Sequence, residues 1–193
     1  MFQRAGWFDF FQRINGFNLE VSYQFAQGFD KDTVLFDTVK FELTRELITE
    51  ATCIAGDGEI WFKKIPFTFN PKDFLLPEVK TMYWGKGVQL DKFNPEWREA
   101  IGILQSYITC EGIFSLVFKY HVRFLLHLNQ QFRMNLPFLL LKILQKMSNK
   151  IKGHRYHTHQ YVFHHGLIKL IVCIVLQKKS RTWDHFFVLV RFP

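Results

Sequence analysis

No stretch of this 193-residue chain reaches the roughly 18 uncharged apolar residues that a bilayer-spanning helix needs. The nearest approach, Leu170 to Leu176, is bracketed by Lys169 and Lys178, which favours a helix buried in a protein core. The first ten residues contain Arg4 and Asp9 and lack the uninterrupted apolar segment of a secretion signal. Cysteine is scarce. Cys53, Cys110 and Cys173 lie far apart with no CxxC pair, which suits buried free thiols in a reducing compartment better than a disulfide framework. An intracellular location follows, nuclear or cytoplasmic, with nothing to decide between them.

The short motifs that carry catalysis are missing as well. Gly56-x-Gly58 and Gly85-x-Gly87 lack the helix signature that follows a phosphate-cradling loop, and no GxSxG, HExxH or kinase-like set occurs. Acid is nearly absent from residues 101–193, which hold only Glu111 and Asp184. A paired-carboxylate acid/base site is hard to build there. The expectation is a protein that is not an enzyme and uses no cofactor. Five histidines crowd residues 154–165, and His154, His157 and His159 are weak candidates for a metal. No Cys, Asp or Glu lies between residues 112 and 172 to complete a ligand set. A solvated basic loop that gains charge as pH falls is the plainer reading.

What the chain does have is apolar bulk and an uneven charge. Hydrophobic residues make up 48% and charged ones 22%, enough to bury a substantial core. The 23 phenylalanines read as occupants of that core. Residues 1–100 hold 12 Lys/Arg against 15 Asp/Glu, a net of −3, whereas residues 101–193 hold 13 against 2, a net of +11. The basic half is expected to meet a polyanion or an acidic partner surface, or to dock in part on the acidic half.

Periodicity predicts a mainly α fold, α+β in detail, with a minor N-terminal strand or hairpin. A small α+β unit over 1–88 leads through an aromatic-rich connector into a basic helical body at 89–193, the two forming one continuous globular unit. Asn18 caps a short helix over 19–27, with Val21, Phe25 and Tyr23 inward and Gly28 as its stop. Asp30-Lys31-Asp32 reads as a solvated connector. Val39, Phe41 and Leu43 alternate with Lys40 and Glu42 as a half-buried strand, with Val34 and Phe36 as hairpin partner across the weak turn Asp37-Thr38. Thr44 then caps a helix from Arg45 to about Cys53.

The helical body itself spans 94–178. Its first helix is capped by Asn94, starts at Pro95, and buries Trp97, Ile101, Leu104 and Ile108. A second starts near Ser115 and takes in Leu116, Val117 and Phe118. The third opens at Asn135-Leu136-Pro137 with Leu140, Leu141, Leu144, Met147 and Ile151 inward. The fourth, from about Val162 to Lys178, is apolar nearly all round and is expected at the centre.

Lys142, Lys146 and Lys150 recur at i, i+4 and i+8, which puts three like charges on one helix face at a cost of about 0.2–0.5 kcal/mol per pair. A solvated face is the plain reading of that row, and a track for phosphates is the pointed one. With Lys152, Arg155, Lys119 and Arg123 it makes up the candidate surface for RNA or DNA. Self-association through the aromatic C-terminus or the 61–84 passage is the alternative, followed by peripheral attachment to anionic membrane.

Several segments resemble an uncharacterised family of transposon- or retrotransposon-associated proteins of plant genomes. They are Gly58-Glu59-Ile60-Trp61-Phe62-Lys63, Val117-Phe118-Lys119-Tyr120-His121, Asn135-Leu136-Pro137-Phe138 and Phe163-His164-His165-Gly166-Leu167-Ile168-Lys169-Leu170. The resemblance spans about residues 15–186 and implies an element-encoded, gag-like or accessory protein, with no catalytic residue to carry over. Two departures stand out. Cys53 occupies the place of a family glycine, which puts the helix stop there in question, and the apolar ending Phe186 to Pro193 implies a truncated copy.

Overall fold

The computed structural model describes residues 1–14, 19–60, 70, 73–79, 84–109, 115–130, 133–151 and 165–179. The fold is mainly α with a minor β component. Helices α1 (Phe8–Arg13) and α2 (Leu19–Gly28) precede three short strands, β1 (Phe29–Asp30), β2 (Thr33–Phe36) and β3 (Val39–Glu42), and then α3 (Arg45–Thr52). Strand β4 (Val88–Gln89), helix α4 (Pro95–Leu104), strand β5 (Leu116–Val117) and helices α5 (Lys119–Asn129), α6 (Leu136–Ile151) and α7 (His165–Lys179) follow. No helix of the described residues is long and apolar enough to cross a membrane.

The N-terminal sheet is antiparallel in the order β1-β2-β3. Its hairpin pairs Val34 with Phe41 and Phe36 with Val39, and Asp37 adopts a left-handed φ of 53° to close the two-residue turn. Lys31, at φ 57°, closes the preceding turn, so the expected connector is itself part of a hairpin. Tyr23, expected inward, is exposed, while Phe25 on the same helix is fully buried. Ser22 takes a buried position beside it instead, so the apolar face of α2 is rotated off the tyrosine.

Helix starts follow their caps. Thr44 Oγ1 accepts the N–H of Leu47 at 3.2 Å and Asn94 Oδ1 that of Trp97 at 3.2 Å. Asn135 Oδ1 accepts the N–H of Phe138 at 3.0 Å. Each cap satisfies one of the backbone donors that a helix leaves unpaired at its start. Trp97, Ile101, Leu104 and Ile108 are buried as their spacing requires, though the last turn, Gln105–Thr109, widens into a π-helix. The helix expected from Ser115 starts later. Leu116 and Val117 pair with Gln89 and Val88 as a two-stranded ribbon, and only at Lys119 does α5 begin. A β-branched, aromatic run with a strand to pair against forms a ladder in preference to a helical turn.

Helix α3 lies against both α6 and α7, and α2 packs on α7 and on β2. The core is therefore one cluster that runs through both halves of the chain, from Phe10, Phe25 and Ile48 to Leu140, Leu144 and Ile171, all of them essentially inaccessible to solvent. Gly166 allows a close approach between α7 and α1. A Cβ there would collide with the backbone carbonyl of Ile14, so the start of α7 sits directly on the chain leaving α1.

Candidate functional site

The basic edge of α6 is what the core leaves uncovered. Leu139, Leu140, Leu141, Ile143 and Leu144 are buried, whereas Lys142 and Lys146 are exposed, so the helix shows solvent a narrow strip with lysines one turn apart. Lys142 Nζ stands 5.5 Å from the centre of the Phe138 ring and 3.0 Å from Gln145 Oε1. Gln145 in turn reaches Asp32 in the turn between β1 and β2. Lys150 lies on the same helix. Lys152, Arg155 and the histidines His154, His157 and His159 lie outside the described residues.

Lys119 and Arg123 do not join that edge through helix packing. They ride on α5, whose main neighbour is α4, whereas α6 packs mainly on α3. Lys119 is exposed at the first turn of α5. Arg123 is half-buried, and its Nε is buried without a hydrogen-bond partner. Part of the C-terminal basic excess meets the acidic half directly. Lys178 pairs with Glu50 of α3, Arg133 with Asp57 at 2.9 Å, and Lys179 donates to the carbonyl of Lys40 at 2.7 Å.

A second feature was not signalled by any motif. A cleft of about 660 Å³ opens between the N-terminal turn, the end of α3 and the segment leading into α6. Arg4, Asp57, Arg133 and Cys53 supply its polar walls, with Trp7, Ile54, Leu128 and Met134 among the apolar ones. Its frame is fixed by backbone bonds, because Glu59 N donates to Arg133 O at 2.9 Å and Asn135 N to Glu59 O at 3.0 Å. Gly58, at φ 102°, is required there, since a Cβ would stand 2.5 Å from the Arg133 carbonyl oxygen.

Cys53 is a correction to the expected buried thiols. It is exposed, ends α3 in a left-handed conformation at φ 56°, and its Sγ accepts a hydrogen bond from the Arg13 guanidinium. The helix thus stops at Cys53, in the left-handed conformation that glycine most often supplies at a helix end. Cys173 is half-buried on α7, where burial pushes its thiol up against the opposing pull of Lys169. Cys110 lies outside the described residues.

Two other histidines, His121 and His127, are buried. His121 is fully enclosed, and desolvation pushes its pKa down to about 4. Burial also lowers His127, against the upward pull of Glu59. No group of three or more His, Cys, Asp or Glu among the described residues is placed to hold a metal ion. Comparison with models of protein families, with curated proteins and with solved structures finds no match.

Proposed function

We propose that the protein is a non-enzymatic binding protein of transposable-element origin, and that it contacts the phosphate backbone of RNA or DNA through the lysine edge of α6. The observation that carries this reading is the pairing of a fully buried side, Leu140 and Leu144, with exposed Lys142 and Lys146 on one helix. A rigidly seated helix holds its charges at a fixed spacing, and contacts of this kind position a nucleic acid without reading its sequence. The net of +11 over residues 101–193 supports the same partner class. The element origin rests on the resemblance of the quoted segments, and a polymerase, integrase or transposase frame adjoining this one in the genome would support it.

The experiment is fluorescence anisotropy with labelled single- and double-stranded oligonucleotides of unrelated sequence. Binding that is indifferent to sequence and competed away by heparin is expected. Strong preference for one sequence, or no binding at low salt, contradicts the proposal.

Self-association is the second reading, favoured by the aromatic surface of Phe8, 48% exposed, and of Tyr107, 43% exposed, whose ring packs at a tilt against Phe11 of α1. Most of the 61–84 passage and the aromatic C-terminus, the surfaces expected to carry it, lie outside the described residues. A concentration-dependent mass by light scattering, abolished in Phe8→Ser/Tyr107→Ser, is its expected signature.

A further inference from the structure

We infer that the cleft flanked by Arg4 and Arg133 is a binding site for a small oxyanion, a phosphate or carboxylate group, separate from the lysine edge of α6. Two guanidinium groups line one cleft of ligand-binding size, about 660 Å³, against a single carboxylate, Asp57. Guanidinium is the side chain best matched to planar and tetrahedral oxyanions, because it presents several donors in a fixed fork. Neither arginine is fully engaged by the protein. Arg4 uses Nη2 on Asn129 at 3.4 Å, and Arg133 uses Nη1 on Asp57 at 2.9 Å, which leaves donors on both free to turn inward. Arg133 is 82% exposed, so its charge is not consumed by burial. The apolar floor of Trp7, Leu128 and Met134 suits the carbon skeleton of such a ligand.

Asp57 competes with the ligand for Arg133, and this gives the site a distinctive signature. Removing the carboxylate charge must strengthen binding, which loss of folding cannot imitate. The test is a titration of the full chain with inorganic phosphate and, separately, acetate at constant ionic strength, by calorimetry or by amide chemical shifts.

Saturable binding of at least one anion is expected. Arg4→Gln and Arg133→Gln should each weaken it at least about fivefold, and Asp57→Asn should strengthen it. Lys142→Gln should leave it unchanged. The exposed Cys53 thiol shares the cleft, so saturating ligand should also slow its carbamidomethylation, followed at that peptide by mass spectrometry. Non-saturable shifts for both anions overturn the inference, as do unchanged affinity in the arginine variants, weaker binding in Asp57→Asn, or an equal loss in Lys142→Gln. Nucleic-acid binding in the arginine variants reads the lysine edge independently, so either result stands without the other.

Discussion

The ring of His121 accepts the backbone N–H of Phe118 through Nδ1 at 3.1 Å, closing the start of α5 from three residues inside it. Glu or Gln commonly fills this position of a capping box, and here a fully buried imidazole does so. A protonated ring has no lone pair on Nδ1 to accept that bond, and its charge would be enclosed.

The pH dependence of stability follows in sign. His121 binds a proton at about 4 in the folded chain and at 6.5 when unfolded, so the unfolded state takes up protons first as pH falls. Stability is fully present above pH 6.5 and declines toward pH 4, by up to about 3 kcal/mol from this residue. His127 acts in the same direction. Urea unfolding at pH 7, 6, 5 and 4 checks this. His121→Gln, which keeps an acceptor for Phe118 and cannot titrate, should flatten most of the slope, and an unchanged slope in that variant refutes the assignment.

Cys53 holds a left-handed backbone that costs a non-glycine residue roughly 1–2 kcal/mol. Cys53→Gly should therefore stabilise the chain, by about 0.5–1 kcal/mol after the greater freedom of glycine in the unfolded state is set against it. Thermal unfolding decides the matter, and a lower midpoint would mean that the Arg13 contact outweighs the backbone strain.

Asn94 and Asn135 cap α4 and α6 by the same bond, yet their removal should differ in cost. Asn135 is buried, and its Nδ2 also donates to the carbonyl of Gly56. Asn94 sits nearer the surface and gives its Nδ2 only a long 3.5 Å contact to Asp73 O. Asn94→Ala should cost about 1 kcal/mol, and Asn135→Ala about 2–3 kcal/mol because it also leaves a carbonyl without its donor. Equal losses in denaturant unfolding would remove the structural role given to the Gly56 bond.

The caps and the buried faces were legible in the sequence because both are local. Thr44, Asn94 and Asn135 each stand just before an apolar repeat of helical period, and Leu140 and Leu144 fell inside as their spacing required. Strand β5 was not legible. Leu116 and Val117 are two residues long as a strand, and their partner, Val88–Gln89, is far away in sequence. The turn at Asp37-Thr38 was legible, if weakly, whereas the one through Lys31 was not, since lysine does not announce a left-handed turn as glycine or asparagine does. On the candidate surface, helical period identified Lys142 and Lys146. Spacing alone could not show that Lys119 and Arg123 belong to a helix with other neighbours, or that Arg4 and Arg133 line one cleft.

The lysine edge is tested most directly by the salt dependence of RNA binding. The affinity of a labelled single-stranded oligonucleotide is measured across a series of KCl concentrations for the parent chain and for Lys142→Gln/Lys146→Gln/Lys150→Gln. If all three lysines contact phosphates, the slope of log affinity against log salt should become shallower by about 2 in the variant, with a similar loss for every sequence tried. A slope that stays the same after the three charges are removed contradicts the account.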